Sequence, residues 1–194
     1  DGAYAFAGLR PGEYSVRQMQ PTNYFSGGER VGSGGGQASK NLLSGIKIGS
    51  GQTLTEYNFC ECEIAEIAGR VWEDGPVFET SDGALPANYR DQRDGIYTAN
   101  VDTPIAGSRL YLYHYVSVAS DDPDVVELSL KPVTLAEVLP EYYSHLSSAN
   151  GNAPVWVETG ADGQYVFRGL KQGSYVVRQE QPEGYFDANN VPGT

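Results

Sequence analysis

The segment from Glu73 to Thr103 carries the side chains whose types and spacing best suit metal chemistry. It holds seven carboxylates and two arginines. Calcium takes about six to eight oxygen ligands from carboxylates, amides and carbonyls on flexible loops. Asp91 and Asp94, followed by Gly95 and Asp102, fit that chemistry, although their spacing is not that of an EF-hand. A long acidic loop whose charges simply face water fits equally well, and the residues alone leave both interpretations open.

Two thiols are the next candidates, because Cys60 and Cys62 occur two positions apart in the sequence Asn-Phe-Cys-Glu-Cys. In a strand they would share the outward face, whereas Tyr57 and Phe59 would share the core face. Their Cα atoms would lie roughly 6.5–7 Å apart, near the upper limit for a disulfide. We therefore predict free or intermolecularly paired cysteines rather than a redox or metal site.

The two histidines and many tyrosines raise the question of an iron-dependent enzyme, because some β-sandwich dioxygenases bind iron through these side chains. His114 alternates with Leu110 and Leu112, which predicts a core histidine with a satisfied polar partner. His145 falls on a predicted surface insertion. No nucleophile motif or phosphate-binding glycine motif is present. We predict that the chain is not an enzyme, with a metalloenzyme as a remote alternative.

Composition and charge favour a secreted all-β protein. The chain has 14 tyrosines, 24 glycines and 11 prolines, which suits many strands joined by turns. A net charge of −12 argues against nucleic-acid binding and against docking on anionic lipid. No apolar run approaches the ~20 residues of a membrane-spanning helix, so we predict no membrane insertion in this segment.

A repeat dominates the organisation of the chain. Residues 1–25 and 162–186 align without a gap and share 15 of 25 positions. Alternating apolar residues on both sides of a short turn predict a β-hairpin in each copy. The glycine common to both turns, Gly12 and Gly173, predicts a position with positive φ.

The offset of 161 residues is that of a whole domain rather than of a short solenoid repeat. We interpret residues 1–66 as the C-terminal half of one β-sandwich module and residues 67–194 as the N-terminal and middle part of a second. On this interpretation the second module lacks its closing strands. We predict that residues 42–59, from the same chain or a neighbour, add to its open edge.

Between the repeats, alternation predicts strands over Leu42–Ile48, Thr53–Phe59, Ile67–Trp72 and Ser108–Val118. Thr134 with Glu137 three residues later is a capping box, which predicts a short helix. This helix would belong to an insertion spanning residues 121–154.

Aromatic side chains in and after this insertion allow a second function. Tyr142, Tyr143 and Trp156 could stack on a glycan or an extracellular protein ligand, which would make the chain a carbohydrate- or protein-binding module. They could instead cover the apolar side of the added helix, which is the interpretation we favour.

Three groups of residues resemble the B-type repeats of serine-aspartate repeat surface adhesins, a prealbumin-like group that includes collagen-adhesin B domains. They are the D-G-x-Y-x-F-x-G-L pattern of both repeats, the S-G-I-x-I-x-S-G-Q-x-x-x-x-Y-N-F pattern of residues 44–59, and I-x-G-x-V-W-x-D followed by P-I-A-G-x-x-L-Y-L-Y. The resemblance covers somewhat under half of the chain. It implies a Greek-key β-sandwich that acts as a non-catalytic stalk or spacer in a long extracellular, usually bacterial, surface protein.

The resemblance also implies stiffening by Ca2+, and the ligands that we favour are Asp74, Asp91, Asp94 and Asp102. The implied partners are neighbouring modules of the same protein or other copies of it. Two features depart from the family. About 30 residues separate Asp74 from Pro104, where the family has a short loop, and Arg70 stands where an isopeptide bond would need a lysine.

Overall fold

The computed structural model describes residues 2–75, 87–88, 93–118 and 127–185. The chain divides into two compact units, residues 1–64 and 65–194, so the division falls two residues before the predicted module boundary. Regular structure is almost entirely antiparallel β-strand, and the predicted all-β sandwich class is confirmed.

The first unit contains five strands in two small sheets. They are β1 (Gly12–Arg17), β2 (Tyr24–Arg30), β3 (Gln37–Ser39), β4 (Leu42–Ile48) and β5 (Asn58–Glu63). One sheet has the order β1-β4-β3, and the other pairs β2 with β5. Leu43, Ile46 and Tyr57 form the buried core between them.

Strand β4 is central in its sheet, because β1 pairs along one edge and β3 along the other. The β3 pairing covers Leu42–Ser44, whereas the β1 pairing extends from Leu42 to Ile48. The addition of residues 42–59 to the second module stays a prediction. The predicted strand Thr53–Phe59 begins later, at Asn58, because Glu56 has φ of 67° and cannot continue an extended ladder.

The second unit contains eight strands in the described residues. They are β6 (Ala65–Arg70), β7 (Trp72–Glu73), β8 (Thr103–Pro104), β9 (Arg109–Val118), β10 (Glu127–Pro132), β11 (Trp156–Glu158), β12 (Gln164–Leu170) and β13 (Tyr175–Gln179). β9 pairs with β10 and β11, and also with β13. β12 pairs with β6, and β7 pairs with β8.

The β9 and β12 sheets enclose the main core. Leu110 and Leu112 from β9 pack with Phe167 and Leu170 from β12, and all four are buried. Strand alternation places Leu110 and Leu112 on one face of β9 and leaves Tyr111 and Tyr113 on the other. In β12 the register shifts between Phe167 and Leu170, so both can face the core although they are three residues apart. Burial of this continuous apolar cluster holds the two sheets together.

The repeated segments do not form the predicted hairpins. In the second copy, β12 pairs with β6 whereas β13 pairs with β9, so the turn between them carries the chain from one sheet to the other. The Tyr175 hydroxyl donates to the carbonyl of Lys171 at 2.7 Å across this turn. A tyrosine that bonds a backbone carbonyl a few residues upstream is a known corner device in β-sandwiches. Alternation identifies a strand but does not choose its partner, which is why the hairpin prediction failed.

The glycine prediction also needs correction, since Gly12 and Gly173 do not have positive φ. In each copy the glycine four positions earlier, Gly8 or Gly169, does have positive φ, at 70° and 72°.

The predicted helix is present as two 3₁₀ helices, Leu135–Glu137 and Pro140–His145. The capping box forms: the Thr134 N–H donates to the Glu137 carboxylate at 2.9 Å, and the Thr134 hydroxyl donates to the same oxygen at 3.1 Å. Pro140 has no N–H to donate, so the first helix cannot continue through it.

Candidate functional site

The acidic loop starts where the short β7–β8 ladder ends. Glu73 is opposite Thr103 at the end of this antiparallel ladder, and Asp74 and Asp102 are the next residues of the two strands. The Asp102 carboxylate accepts from the N–H of Gly75, the residue after Asp74, so the two predicted ligands lie at the same end of the ladder.

Asp102 holds the backbone of this loop. Its side chain is 6% exposed, one oxygen accepts from the Gly75 N–H at 2.7 Å, and the other accepts from the Thr98 N–H. The Asp102 N–H also donates to the Thr98 carbonyl at 3.0 Å. Charge-assisted bonds of this kind offset the cost of burying a carboxylate. Asp102 therefore has a structural role that does not depend on a metal.

Asp74 is bound on one side only. Its Oδ2 atom accepts from the Gly95 N–H at 2.9 Å. Its Oδ1 atom is buried and has no hydrogen-bond partner within the part of the chain that the structure describes. A buried carboxylate oxygen with unused lone pairs suits a cation or an ordered water.

Aromatic contacts hold the described part of the loop around Tyr97. The Tyr97 ring lies under the Arg70 guanidinium, 3.8 Å from its carbon, and meets Trp72 edge-on at 5.9 Å. Arg70 and Trp72 are two residues apart at the β6–β7 junction. These contacts hold the loop against the strands that carry Asp74.

The other two predicted ligands are placed differently. Asp94 is exposed, and its Oδ1 atom accepts from the nearby Ile96 N–H at 2.8 Å, as in an Asx turn. Asp91 lies outside the described residues. Over the described ranges, no group of three or more His, Cys, Asp or Glu side chains is arranged to hold a metal ion. Asp74 and Asp102 are thus the two predicted ligands that the structure brings to one place.

A second polar cluster surrounds His114. Its Nε2 atom lies 3.2 Å from the Glu137 carboxylate, and its ring stacks on Tyr175 at 4.9 Å. Burial raises the pKa of Glu137, but the hydrogen bonds from Thr134 and the positive charges of Lys131 and His114 outweigh it and lower that pKa. Burial, and then the charge of Glu137, raise the pKa of Tyr175.

His114 has the predicted polar partner, but its side chain is 23% exposed and lies at the margin of the core rather than inside it. Sequence reasoning named Glu137 in the capping box but not as the partner of His114, because this contact joins residues 23 positions apart. His145 is exposed at the end of the second 3₁₀ helix. The two histidines therefore have separate local surroundings.

The three aromatic residues that could bind a ligand have different surroundings. Tyr142 packs against the main cluster, and its ring lies 2.5 Å from the position that a Cβ on Gly169 would take. Trp156 lies in β11 with the Arg109 guanidinium 4.2 Å above its ring. Tyr143 is partly exposed. Tyr142 thus has the covering role that we favoured over ligand binding.

Cys60 and Cys62 are free thiols on the exposed face of β5. Both lean toward Gly27 at a bulge in β2, where an added Cβ would lie 2.9 Å from one sulfur and 3.1 Å from the other. Tyr57 and Phe59 contribute to the core, so the predicted division of faces is confirmed.

In the described residues, no helix is long and apolar enough to cross a membrane. No family model and no solved structure matches the chain. Two curated relatives, each named Serine-aspartate repeat-containing protein F from Staphylococcus epidermidis, are 25% and 24% identical over 185 residues. The match covers 95% of this chain but only 8% of the length of these relatives. The resemblance seen in the motifs is confirmed: the chain is similar to part of serine-aspartate repeat-containing proteins.

Proposed function

We propose that this chain is a non-catalytic spacer module in a larger bacterial cell-surface protein. The observation that carries the proposal is the similarity to serine-aspartate repeat proteins over 95% of the chain. Its partners would be neighbouring modules of the same protein, other copies of it, or an extracellular protein or glycan.

The internal repeat supports a structural role, because the shared residues hold the fold. Tyr14 donates to the Arg10 carbonyl at 2.8 Å, as Tyr175 does to Lys171. The amide of Gln20 donates to the Tyr24 carbonyl at 3.2 Å, and Gln181 makes the equivalent bond at 3.0 Å. Several of the residues that the two copies share therefore form corners and turns, as expected of modules whose function depends on their shape.

Calcium stiffening is the second part of the proposal. Asp74 and Asp102 at the end of the β7–β8 ladder would anchor the ion, with Asp91 and Asp94 as further ligands from the same loop. The Oδ1 atom of Asp74, which is buried and has no hydrogen-bond partner among the described residues, supports this assignment. A bound ion would also offset the cost of burying this carboxylate.

Thermal unfolding in EDTA, calcium or magnesium tests this proposal. A specific site at about 100 times its Kd adds about 2.7 kcal/mol to stability. Asp74→Asn is the informative variant, because the amide oxygen can still accept from Gly95 while the charge is lost. Asp102→Asn is less informative, since both of its oxygens already accept backbone N–H groups.

Asp162→Asn is the matched control, because Asp162 makes an exposed Asx-type bond to the Gln164 N–H at 3.0 Å outside the acidic loop. We expect a calcium-selective rise in Tm for the wild type and for Asp162→Asn, and none for Asp74→Asn. Equal melting in EDTA and calcium would remove calcium from the proposal and leave the spacer role to be tested mechanically.

A further inference from the structure

The two free cysteines of the first unit lie on one face of β5 and point toward the same place. In the β2–β5 ladder the register shifts between Ser26 and Gly28, so Gly27 is the extra residue of a β-bulge. A Cβ on Gly27 would lie 2.9 Å from the Cys62 Sγ atom and 3.1 Å from the Cys60 Sγ atom. Both sulfur atoms therefore lean over a residue that has no side chain.

The two sulfur atoms are close enough to act together, but the strand opposes a bond between them. Because both lie so near one point, they are at most about 6 Å apart. A disulfide needs about 2.05 Å between its sulfur atoms and about 3.5–4.5 Å between its Cβ atoms. Residues two apart in an extended strand are separated by roughly 6.5–7 Å. A disulfide between Cys60 and Cys62 would therefore require the ladder to distort.

A metal ion between the sulfur atoms would span this gap without that distortion. Metal–thiolate bonds are about 2.3 Å long, so an ion bound to two thiolates can hold them up to about 4.6 Å apart. In the part of the chain that the structure describes, no third His, Cys, Asp or Glu side chain joins the two thiols. Thiolates select Cu(I), Zn²⁺ and iron–sulfur clusters, of which structural zinc and the clusters take four protein ligands. Two thiolates alone therefore favour Cu(I).

We propose that Cys60 and Cys62 form a binding site for one Cu(I) ion per chain. Each thiol releases its proton to solvent as a sulfur–copper bond forms, and no electron is transferred. Strand spacing alone predicts no metal site here, because it does not reveal that a glycine lies beneath the two sulfur atoms. The site lies within the first unit, so it does not depend on the acidic loop, on calcium or on the spacer role.

Anaerobic titration of the intact 194-residue chain tests this site. Cu(I) is supplied as its complex with bicinchoninate, and the fall in the absorbance of that complex measures transfer to the protein. We expect saturation at one Cu(I) per chain. Cys60→Ser and Cys62→Ser should each lower the affinity at least 100-fold, because a single thiolate cannot chelate the ion. Both variants should stay folded, because the two side chains are exposed.

Gly27→Ala tests the geometry, because both thiols remain while the added methyl group displaces their sulfur atoms. We expect it to lower the affinity for Cu(I) at least tenfold. Gly12→Ala is the matched control from the same unit. Gly12 does not have positive φ, and its added Cβ would meet the Tyr14 ring at an ordinary contact distance of 3.5 Å. This control should bind Cu(I) as the wild type does.

Four results would overturn the proposal. One is failure of the chain to take Cu(I) from bicinchoninate. Another is unchanged affinity in either serine variant or in Gly27→Ala, which would show adventitious binding to other groups. The third is one Cu(I) for two chains together with dimerisation in sedimentation, which would show that a single chain does not complete the site. The last is an intrachain disulfide in the mass spectrum of protein exposed to air, which would contradict the spacing of the two thiols.

Discussion

Phe6 and Phe167 are the same residue of the same repeat, so one substitution can be made in two environments. Phe167 is fully buried among Leu110, Leu112 and Leu170, whereas Phe6 is 64% exposed. Removing a buried phenyl ring costs about 3–5 kcal/mol through lost transfer energy and the cavity left behind. Surface substitutions usually stay within about 0.5 kcal/mol. We therefore expect Phe167→Ala to destabilise its unit by about 3–5 kcal/mol and Phe6→Ala to have almost no effect.

Denaturant unfolding separates the two outcomes. Both tryptophans, Trp72 and Trp156, lie in the second unit, so their fluorescence follows that unit. Far-ultraviolet circular dichroism follows strands in both. Phe167→Ala should shift the fluorescence midpoint to lower denaturant, and Phe6→Ala should leave both signals unchanged.

A large loss of stability in Phe6→Ala would refute the predicted difference between the two variants, since it would mean that residues 2–9 are already covered in solution. A loss below about 1 kcal/mol for Phe167→Ala would refute the assignment of Phe167 to the core.

Three further predictions concern the second unit. Gly169→Ala should lower the free energy of unfolding by about 1–3 kcal/mol more than Gly8→Ala does, because both glycines have positive φ but only Gly169 faces the Tyr142 ring. Equal losses for the two variants in chemical unfolding would contradict that contact. Thr159→Val should lower the stability measured by calorimetry by about 1–3 kcal/mol. The buried Thr159 hydroxyl donates to the Ile105 carbonyl at 2.7 Å and accepts from the Ser108 N–H at 2.9 Å, and valine can form neither bond. Unchanged stability would show that neither bond contributes. Glu137 has a pKa below its ordinary value of 4.5, so it stabilises the fold above that value and loses this contribution as pH falls through the lowered pKa. Glu137→Gln should therefore reduce the dependence of Tm on pH in the acid range, and an unchanged profile would contradict the role of the Thr134 and Lys131 interactions.

Local features of the fold were predictable from the sequence because their causes are local. The capping box of Thr134 and Glu137 forms, and the inward and outward faces around Tyr57 and Cys60 are as alternation predicts. Strands β4 and β9 begin and end within about a residue of the predicted bounds.

Long-range pairing was not predictable in the same way. Residues 2–9 and β12 share one sequence pattern, but only β12 has β6 beside it. The corner that sends β12 and β13 into different sheets depends on partners far along the chain. Alternation carries no information about such partners.

The candidate site shows the same division. The acidic composition of the loop identified Asp74 and Asp102 as candidate ligands. It could not show that Asp102 binds the backbone N–H groups of Gly75 and Thr98, because these approach only once the β7–β8 ladder forms. The identity of Glu137 as the partner of His114 likewise required the tertiary fold.

Single-molecule extension of the chain, in EDTA and then in calcium, tests the spacer account most directly. We predict cooperative unfolding of residues 65–194 at a force that rises in calcium, does not rise in magnesium, and is insensitive to calcium in Asp74→Asn. Extension at low force without a cooperative event in either condition would contradict the claim that the module serves as a stiff spacer.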